Sequence, residues 1–327
     1  MTMTGSHDQF LADVGIALAE RLPGAVERDV PLAELTTYRV GGPVAWLVRV
    51  ATAAQLAVLT EVVHEHRPPV LVVGRGSNLL VADRGFAGVG VVLTGDFDRV
   101  EPVPVDDLVH AGGAVALPVL ARRAAAAGLA GLEFFVGIPG SVGGAVRMNA
   151  GGHGRETAEV LVDAAVVDLA GDGARRILGP HTLALGYRRS ALGAFEIVTG
   201  ATFAVTEADP ADCEAALREI VAWRREHQPG GANAGSVFAN PPGDSAGRII
   251  DALGLKGLSV GGATVSEKHA NFFQAAPGSS ADDVHRLVHE VRRRVHDVTG
   301  IDLVPELRMV GFEPGVRASD AGPGSRG

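Results

Sequence analysis

The chain carries one cysteine, Cys213, in 327 residues. An intrachain disulfide is therefore excluded, and the composition suits a reducing compartment. Long hydrophobic runs are also missing. Stretches such as VGVVL at 89–93 fall far short of the roughly 18–20 apolar residues that a membrane-spanning helix needs. The first ten residues, MTMTGSHDQF, hold neither the basic stretch nor the apolar core of a secretory leader, so a cytoplasmic protein with no membrane partner is expected. Positive charge is not in excess, because 29 Lys and Arg stand against 38 Asp and Glu for a net charge of −9. A general nucleic-acid binder needs a basic face, so no nucleic-acid partner is expected, and an anionic ligand has to be held by local features. The 11 histidines include no H-E-x-x-H motif, and no metal is expected. There is no internal repeat.

What the chain does have is apolar content, 46% of a length that buries large cores and suits two or three domains. TAAQLAVLTEVVHEHR at 52–67 places Leu56, Leu59, Val62 and Val63 on one face behind a Thr52/Gln55 capping box, which predicts a helix leading into a buried strand, PVLVVG. A second strand is expected at 89–93, a helix at 116–128, and strands at 161–168 and 196–205 about the turn AGDGA. Further helices are expected at 210–226, around 245–253 and at 281–298. In the last of these Ser280 and Asp283 cap a face of Val284, Val288, Val291 and Val295. The tail 313–327 reads as disordered.

Glycine is concentrated. GIPGSVGGAVRMNAGGHG at 137–154 has seven glycines in eighteen positions, although each glycine loses more conformational freedom on folding than any other residue. A linker, a tight packing corner or a loop against phosphates would each use such bare backbone. The linker reading fails on Ile138, Pro139, Val142 and Val146, which are apolar or stiff. A second stretch, VVGRGSNLL, follows a strand. There Gly74 and Gly76 permit a sharp turn and Ser77 and Asn78 add short polar groups, as in a phosphate-binding nest or an ordinary turn. It lacks the third glycine of a Rossmann fingerprint. Two such stretches together point to a long ligand with a pyrophosphate, clasped from both sides.

In order along the chain come TTYRVGG (36–42), GRGSNLL (74–80), GLEFFVGIPGSVGGAVRMNAGGHG (131–154), YRRS (187–190), NAGSVFANPPGDSAGRIIDALGLKG (233–257), VSEKHANFF (265–273) and VPELRMVG (304–311). Over about residues 30–312 this set resembles the UDP-N-acetylenolpyruvoylglucosamine reductase (MurB) family of flavoenzymes. The resemblance implies an α+β fold with a two-lobed FAD-binding domain of the vanillyl-alcohol-oxidase/PCMH type and a smaller α+β substrate-binding domain. The expected limits are an N-terminal helical segment at 1–30, the FAD-binding domain at 31–205 with lobes of about 31–94 and 95–205, and the substrate-binding domain at 206–312.

The implied activity is that of UDP-N-acetylmuramate dehydrogenase. Noncovalent FAD takes hydride from NADPH, and an enolpyruvyl ether on UDP-N-acetylglucosamine is reduced in making the peptidoglycan precursor UDP-N-acetylmuramate. The partner is thus a UDP-linked enolpyruvyl amino sugar, and the chain is expected to be a monomer or weak oligomer. Matching motifs make Ser236 the proton donor, with Arg188 and Glu306 beside the substrate carboxylate. FAD contacts are implied for Arg39, Gly74, Arg75, Gly76, Ser77, Asn78, Gly137, Ile138, Pro139, Gly140, Ser141, Gly143, Gly144 and Asn149. Tyr187, Asn240 and Lys268 are implied substrate contacts. Taken singly, without the resemblance, Ser236 reads first as a turn residue after Gly235, Arg188 as part of a solvated basic turn and Glu306 as a surface carboxylate. An oxidase of the same superfamily and a noncatalytic flavin or sugar-nucleotide sensor remain as other readings.

Several positions depart from the family pattern. Gly152 and His153 stand where many relatives have an aromatic residue after MNAG. Arg224, Arg225 or His227 takes the place of a family lysine, and Gln274 that of an Asn after HANF. The short spacing between Arg188 and Ser236 is similar to the subclass without the tyrosine-bearing substrate loop.

Overall fold

The computed structural model describes residues 3–312, with side chains from residue 8 onward. The expected disordered tail at 313–327 lies outside the described residues. The first lobe is a four-stranded sheet in the order Val26–Pro31, Pro43–Val50, Phe86–Leu93, Val70–Val72. Only the first pair is antiparallel, so the chain must cross over between Pro43–Val50 and Val70–Val72. Helix Ala53–His66 makes that crossover. It starts where expected because Thr52 Oγ1 accepts the Gln55 amide at 3.2 Å. The Gln55 side chain reaches past the cap, accepting from Ala51 N at 2.7 Å. Leu56, Leu59, Val62 and Val63 pack with Val14 and Leu18 of the N-terminal helix Met3–Arg21. The strand Val26–Pro31 crosses the boundary expected at residue 30.

The second lobe is a five-stranded antiparallel sheet, Arg175–Leu178, Leu161–Asp168, Glu196–Ala204, Leu108–Gly112, Val100–Val103. Helices Leu117–Ala126, Val142–Met148 and Pro210–His227 cover it. Cys213 and Leu217 of the last helix belong to this lobe's core, so a helix that follows the expected boundary at 205 packs ahead of it. The helix Val142–Met148 lies inside the glycine-rich stretch, where no helix is expected from the sequence. Ser141 caps it, and Val142, Ala145 and Val146 are buried.

The last unit has three short antiparallel strands, Ser259–Val260, Ala263–Val265 and Phe273–Ala275, under helices Ala246–Ala252 and Ala281–Thr299. The long helix carries the expected Ser280/Asp283 capping box and buries Val284, Val288, Val291 and Val295. Its core also takes in Tyr38, Val40 and Leu80 from the first lobe. The final strand, Arg308–Val310, pairs in parallel with Leu79–Val81. That pairing ties residues just before 308 to the stretch 74–78, and it determines where Glu306 sits.

Candidate active site

Between the two lobes lies a cleft of about 690 Å³, within the range of cavities that hold sizeable ligands. The two glycine stretches meet on its wall. A Cβ added to Gly74 would fall 2.5 Å from Ser141 Oγ, and that oxygen accepts the Gly144 amide at 3.3 Å. Gly76 has φ +61°, and a Cβ there would lie 2.0 Å from the Leu35 carbonyl oxygen. The chain at 74–78 therefore rests directly on the 35–37 backbone, with Thr37 N donating to Gly76 O at 3.2 Å.

Of the implied FAD contacts, Arg39, Gly74, Arg75, Ser141, Gly143 and Gly144 line this cleft. Arg147 and Thr37 line it too, and neither was singled out from the sequence, although each lies inside a quoted motif. Thr37 Oγ1 is buried without a hydrogen-bond partner. The Arg147 guanidinium donates to Gly193 O at 3.0 Å, and burial, then the neighbouring Arg308 charge, lowers its pKa. Cationic groups lining a roomy cleft, with a buried unpartnered hydroxyl on a residue of its wall, suit a phosphate-bearing ligand, so these residues fit FAD. The amides of Val142 and Gly143 donate to Val115 O and Gly113 O, both at 2.9 Å. They hold the short helix to the sheet.

The other implied contacts are not among the cleft-lining residues. Gly140 O accepts Leu117 N at 2.9 Å. Gly137 leaves room for His153, whose Nε2 would lie 2.9 Å from an added Cβ, and Ile138 packs against Gly152. Pro139 and Ser77 are not among the cleft-lining residues. His153 meets Trp223 edge to face at 5.0 Å, docking helix Pro210–His227 on the glycine stretch. Its pKa is lowered by burial and by the Arg224 charge. Asn149, fully buried with φ +42°, caps the short helix; its amide donates to Gly186 O at 3.1 Å and its carbonyl accepts Ala158 N at 2.9 Å. Asn78 donates to Glu306 O at 3.1 Å.

Those last two contacts position the catalytic candidates. Gly186 and Arg189 exchange backbone hydrogen bonds of 3.1 Å, closing a tight turn in which Arg188 has φ +54°. Such a left-handed non-glycine residue is strained unless its surroundings hold it, and Asn149 holds this turn. Arg188 lies over the Tyr187 ring at 4.9 Å, donates to Gly151 O at 3.3 Å, and places Nε 3.4 Å from Glu306 Oε1. Burial raises the Glu306 pKa, opposed by Arg188 and by the Tyr187 hydroxyl. Glu306 N donates to Val237 O at 2.8 Å, and Phe238 bridges Pro305, so the segment carrying Ser236 runs beside the one carrying Glu306. The structure brings Arg188 and Glu306 into contact and sets Ser236 on the neighbouring segment.

Asn240 Oδ1 accepts Ala246 N at 3.1 Å, and its backbone lies beside the Tyr187 hydroxyl. Lys268 Nζ instead donates to Arg225 O at 2.6 Å, tying the last unit to the end of helix Pro210–His227. Gln274 donates to Gly230 O at 2.9 Å, steadying the approach to Ser236. Arg224 Nε donates to Gln228 at 2.9 Å, and His227 stacks on Trp223 at 4.6 Å.

Two family models match the chain, the FAD binding domain over residues 44–176 and the UDP-N-acetylenolpyruvoylglucosamine reductase C-terminal domain over 227–310. The UDP-N-acetylenolpyruvoylglucosamine reductase of Paramagnetospirillum magneticum is 45% identical over 95% of this chain and 98% of its own length. That of Rubrobacter xylanophilus is 42% identical over 89% and 97%. The crystal structure of the MurB reductase from Thermus caldophilus covers 87% of this chain and 98% of its own, at 39% identity and a TM-score of 0.76. With the paired glycine stretches lining a cleft that fits FAD, and a mixed α+β unit following it, the chain belongs to the UDP-N-acetylenolpyruvoylglucosamine reductase family.

Proposed function

We propose that the protein reduces the enolpyruvyl ether of UDP-N-acetylglucosamine to UDP-N-acetylmuramate, with NADPH as electron donor. The observation that carries the reading is the Arg188–Glu306 contact at 3.4 Å, joined through the Glu306 N to Val237 O hydrogen bond to the segment of Ser236. Thr37, Arg39, Gly74, Arg75, Ser141 and Arg147 are the residues that would hold FAD. Bound FAD supplies the hydride chemistry.

The remaining requirements fall on this chain. Adding hydride to the vinyl carbon leaves electron density on the adjacent carbon and its carboxylate, so a cation must face that carboxylate and an acid must reach that carbon. Arg188 has the charge, and its strained turn fixes where the guanidinium sits. Glu306 Oε1 lies 3.4 Å from Arg188 Nε without a hydrogen bond, and burial raises its pKa against the pull of Arg188. Ser236 Oγ is the proton donor. A serine hydroxyl is a weak acid in water, and its use here depends on placement next to a strongly basic carbon.

The test is anaerobic NADPH oxidation with and without UDP-N-acetylenolpyruvoylglucosamine. Oxidation that requires the sugar nucleotide supports the proposal. Oxygen uptake with a simple alcohol or sugar would mark an oxidase instead, and sugar-nucleotide binding without turnover would mark a sensor.

A further inference from the structure

No group of three or more His, Cys, Asp or Glu side chains among the described residues is placed to hold a metal ion. A pair of histidines does converge on helix Ala281–Thr299. His285 and His289 are four residues apart and so share one helix face. Their Nε2 atoms are 3.1 Å apart, with ring centroids at 4.4 Å and an interplanar angle of 70°. Phe312 stacks on His285 at 4.1 Å and 10°, which fixes one ring of the pair.

We infer that His285 and His289 form a two-imidazole site for a borderline transition-metal ion such as Zn²⁺, Ni²⁺ or Cu²⁺. The geometry supports a chelate. With metal–nitrogen bonds of about 2.0–2.1 Å, a 3.1 Å bite gives a nitrogen–metal–nitrogen angle of roughly 95–102°, between the octahedral and tetrahedral values. The same spacing also suits a hydrogen bond between two neutral rings. In the metal-bound form each ring instead carries its single proton on Nδ1, so the exchange shifts one tautomer and leaves both rings neutral.

The surrounding charges permit this. Partial desolvation lowers the pKa of both histidines, helped at His285 by His289 and at His289 by Arg292, which favours the neutral, metal-binding form of each ring. Arg292 is clasped by Asp302 through two bonds of 2.6 and 2.7 Å, which offsets its repulsion of a cation. Asp282, which favours positive charge at His285, lies one turn before it. His289 is exposed, leaving room for water to complete the coordination. Imidazole donors favour Cu²⁺, Ni²⁺ and Zn²⁺ over Mg²⁺ and Ca²⁺, which prefer oxygen.

The experiment uses the full-length, untagged flavoprotein. Zn²⁺ is titrated against a chromophoric chelator, and Cu²⁺ binding is followed by electron paramagnetic resonance. Wild type should bind one equivalent of Zn²⁺ at this site, and the Cu²⁺ spectrum should show coupling to two imidazole nitrogens. His289→Ala and His285→Gln should each weaken Zn²⁺ by at least about tenfold, since even the loss of an outer-shell partner costs about 10–100-fold in metal affinity. His289 is exposed, so its substitution leaves the fold intact, which circular dichroism and bound flavin will verify. Unchanged Zn²⁺ affinity in His289→Ala, no Zn²⁺ binding by wild type, or equal binding of Mg²⁺ would each overturn the assignment.

Discussion

The contact between the two glycine stretches is testable through Gly74→Ala. Gly74 does not have a left-handed φ, so alanine fits its backbone, and the difficulty is one atom, Ser141 Oγ, 2.5 Å from the new methyl. Turning Ser141 away relieves the clash more cheaply than moving either backbone, but it breaks the bond from Gly144 N. Loss of such a cap costs about 0.5–2 kcal/mol, and a buried hydroxyl left without a partner costs about 1–3 kcal/mol. Gly74→Ala should therefore destabilise the protein by about 1–3 kcal/mol. In a Ser141→Gly background, which by itself costs only a few tenths because glycine is a tolerated cap, the same substitution should cost almost nothing. The assay is urea unfolding of the four proteins, with FAD affinity by fluorescence titration in parallel. A coupling of about 1–3 kcal/mol between the two positions is expected, well above the roughly 0.3–0.5 kcal/mol of independent sites. Equal costs in the two backgrounds would refute the contact.

Gly76→Ala should be worse than Gly74→Ala, losing at least about 2 kcal/mol, because residue 76 combines φ +61° with a clash against the Leu35 carbonyl, which cannot rotate away; unfolding midpoints check the order. Arg188→Ala should slow reoxidation of reduced flavin by the sugar nucleotide by about 10²–10³-fold, in line with removal of one charge-stabilising donor. Reduction by NADPH should change only a few-fold, and stopped-flow absorbance separates the two. Because burial raises the Glu306 pKa above 4.5, its contribution to stability is complete below the ordinary carboxylate value and lost as pH rises through the raised value. Glu306→Gln should accordingly gain stability relative to wild type as pH increases across that interval. Urea midpoints over about pH 4–8 that moved the other way would mean that Arg188 outweighs burial.

Local chemistry made some of the molecule legible in advance. Helix Ala281–Thr299 declares itself through Ser280, Asp283 and a valine face, all contained in the segment, and Ala53–His66 does the same through Thr52. The helix Val142–Met148 was hidden because glycines weaken its intrinsic propensity, and what holds it are the carbonyls of Gly113 and Val115 from a distant segment. The pairing of Arg308–Val310 with Leu79–Val81 has no local signature at all. At the site, motif order singled out Arg188, Ser236 and Glu306. Their placement depends on Asn149, Asn78 and a left-handed turn, whose roles appear only once separate strands are assembled. Arg147 has no signal apart from its place among glycines, and the capping role of Asn149 depends on Gly186 and Ala158, which only the fold brings to it.

The most direct test of the catalytic account is Ser236→Ala in the half-reaction that consumes substrate. Positioned proton transfer contributes about 10²–10⁴-fold, or roughly 3–5 kcal/mol of barrier. The enzyme is reduced anaerobically with NADPH and mixed with UDP-N-acetylenolpyruvoylglucosamine, and the return of oxidised-flavin absorbance is timed. The account predicts reoxidation slowed by about 10²–10⁴-fold, with FAD content and reduction by NADPH near wild type and partial recovery in Ser236→Cys. Reoxidation of the alanine variant within a few-fold of wild type would contradict it and move the proton source to Glu306 or ordered water.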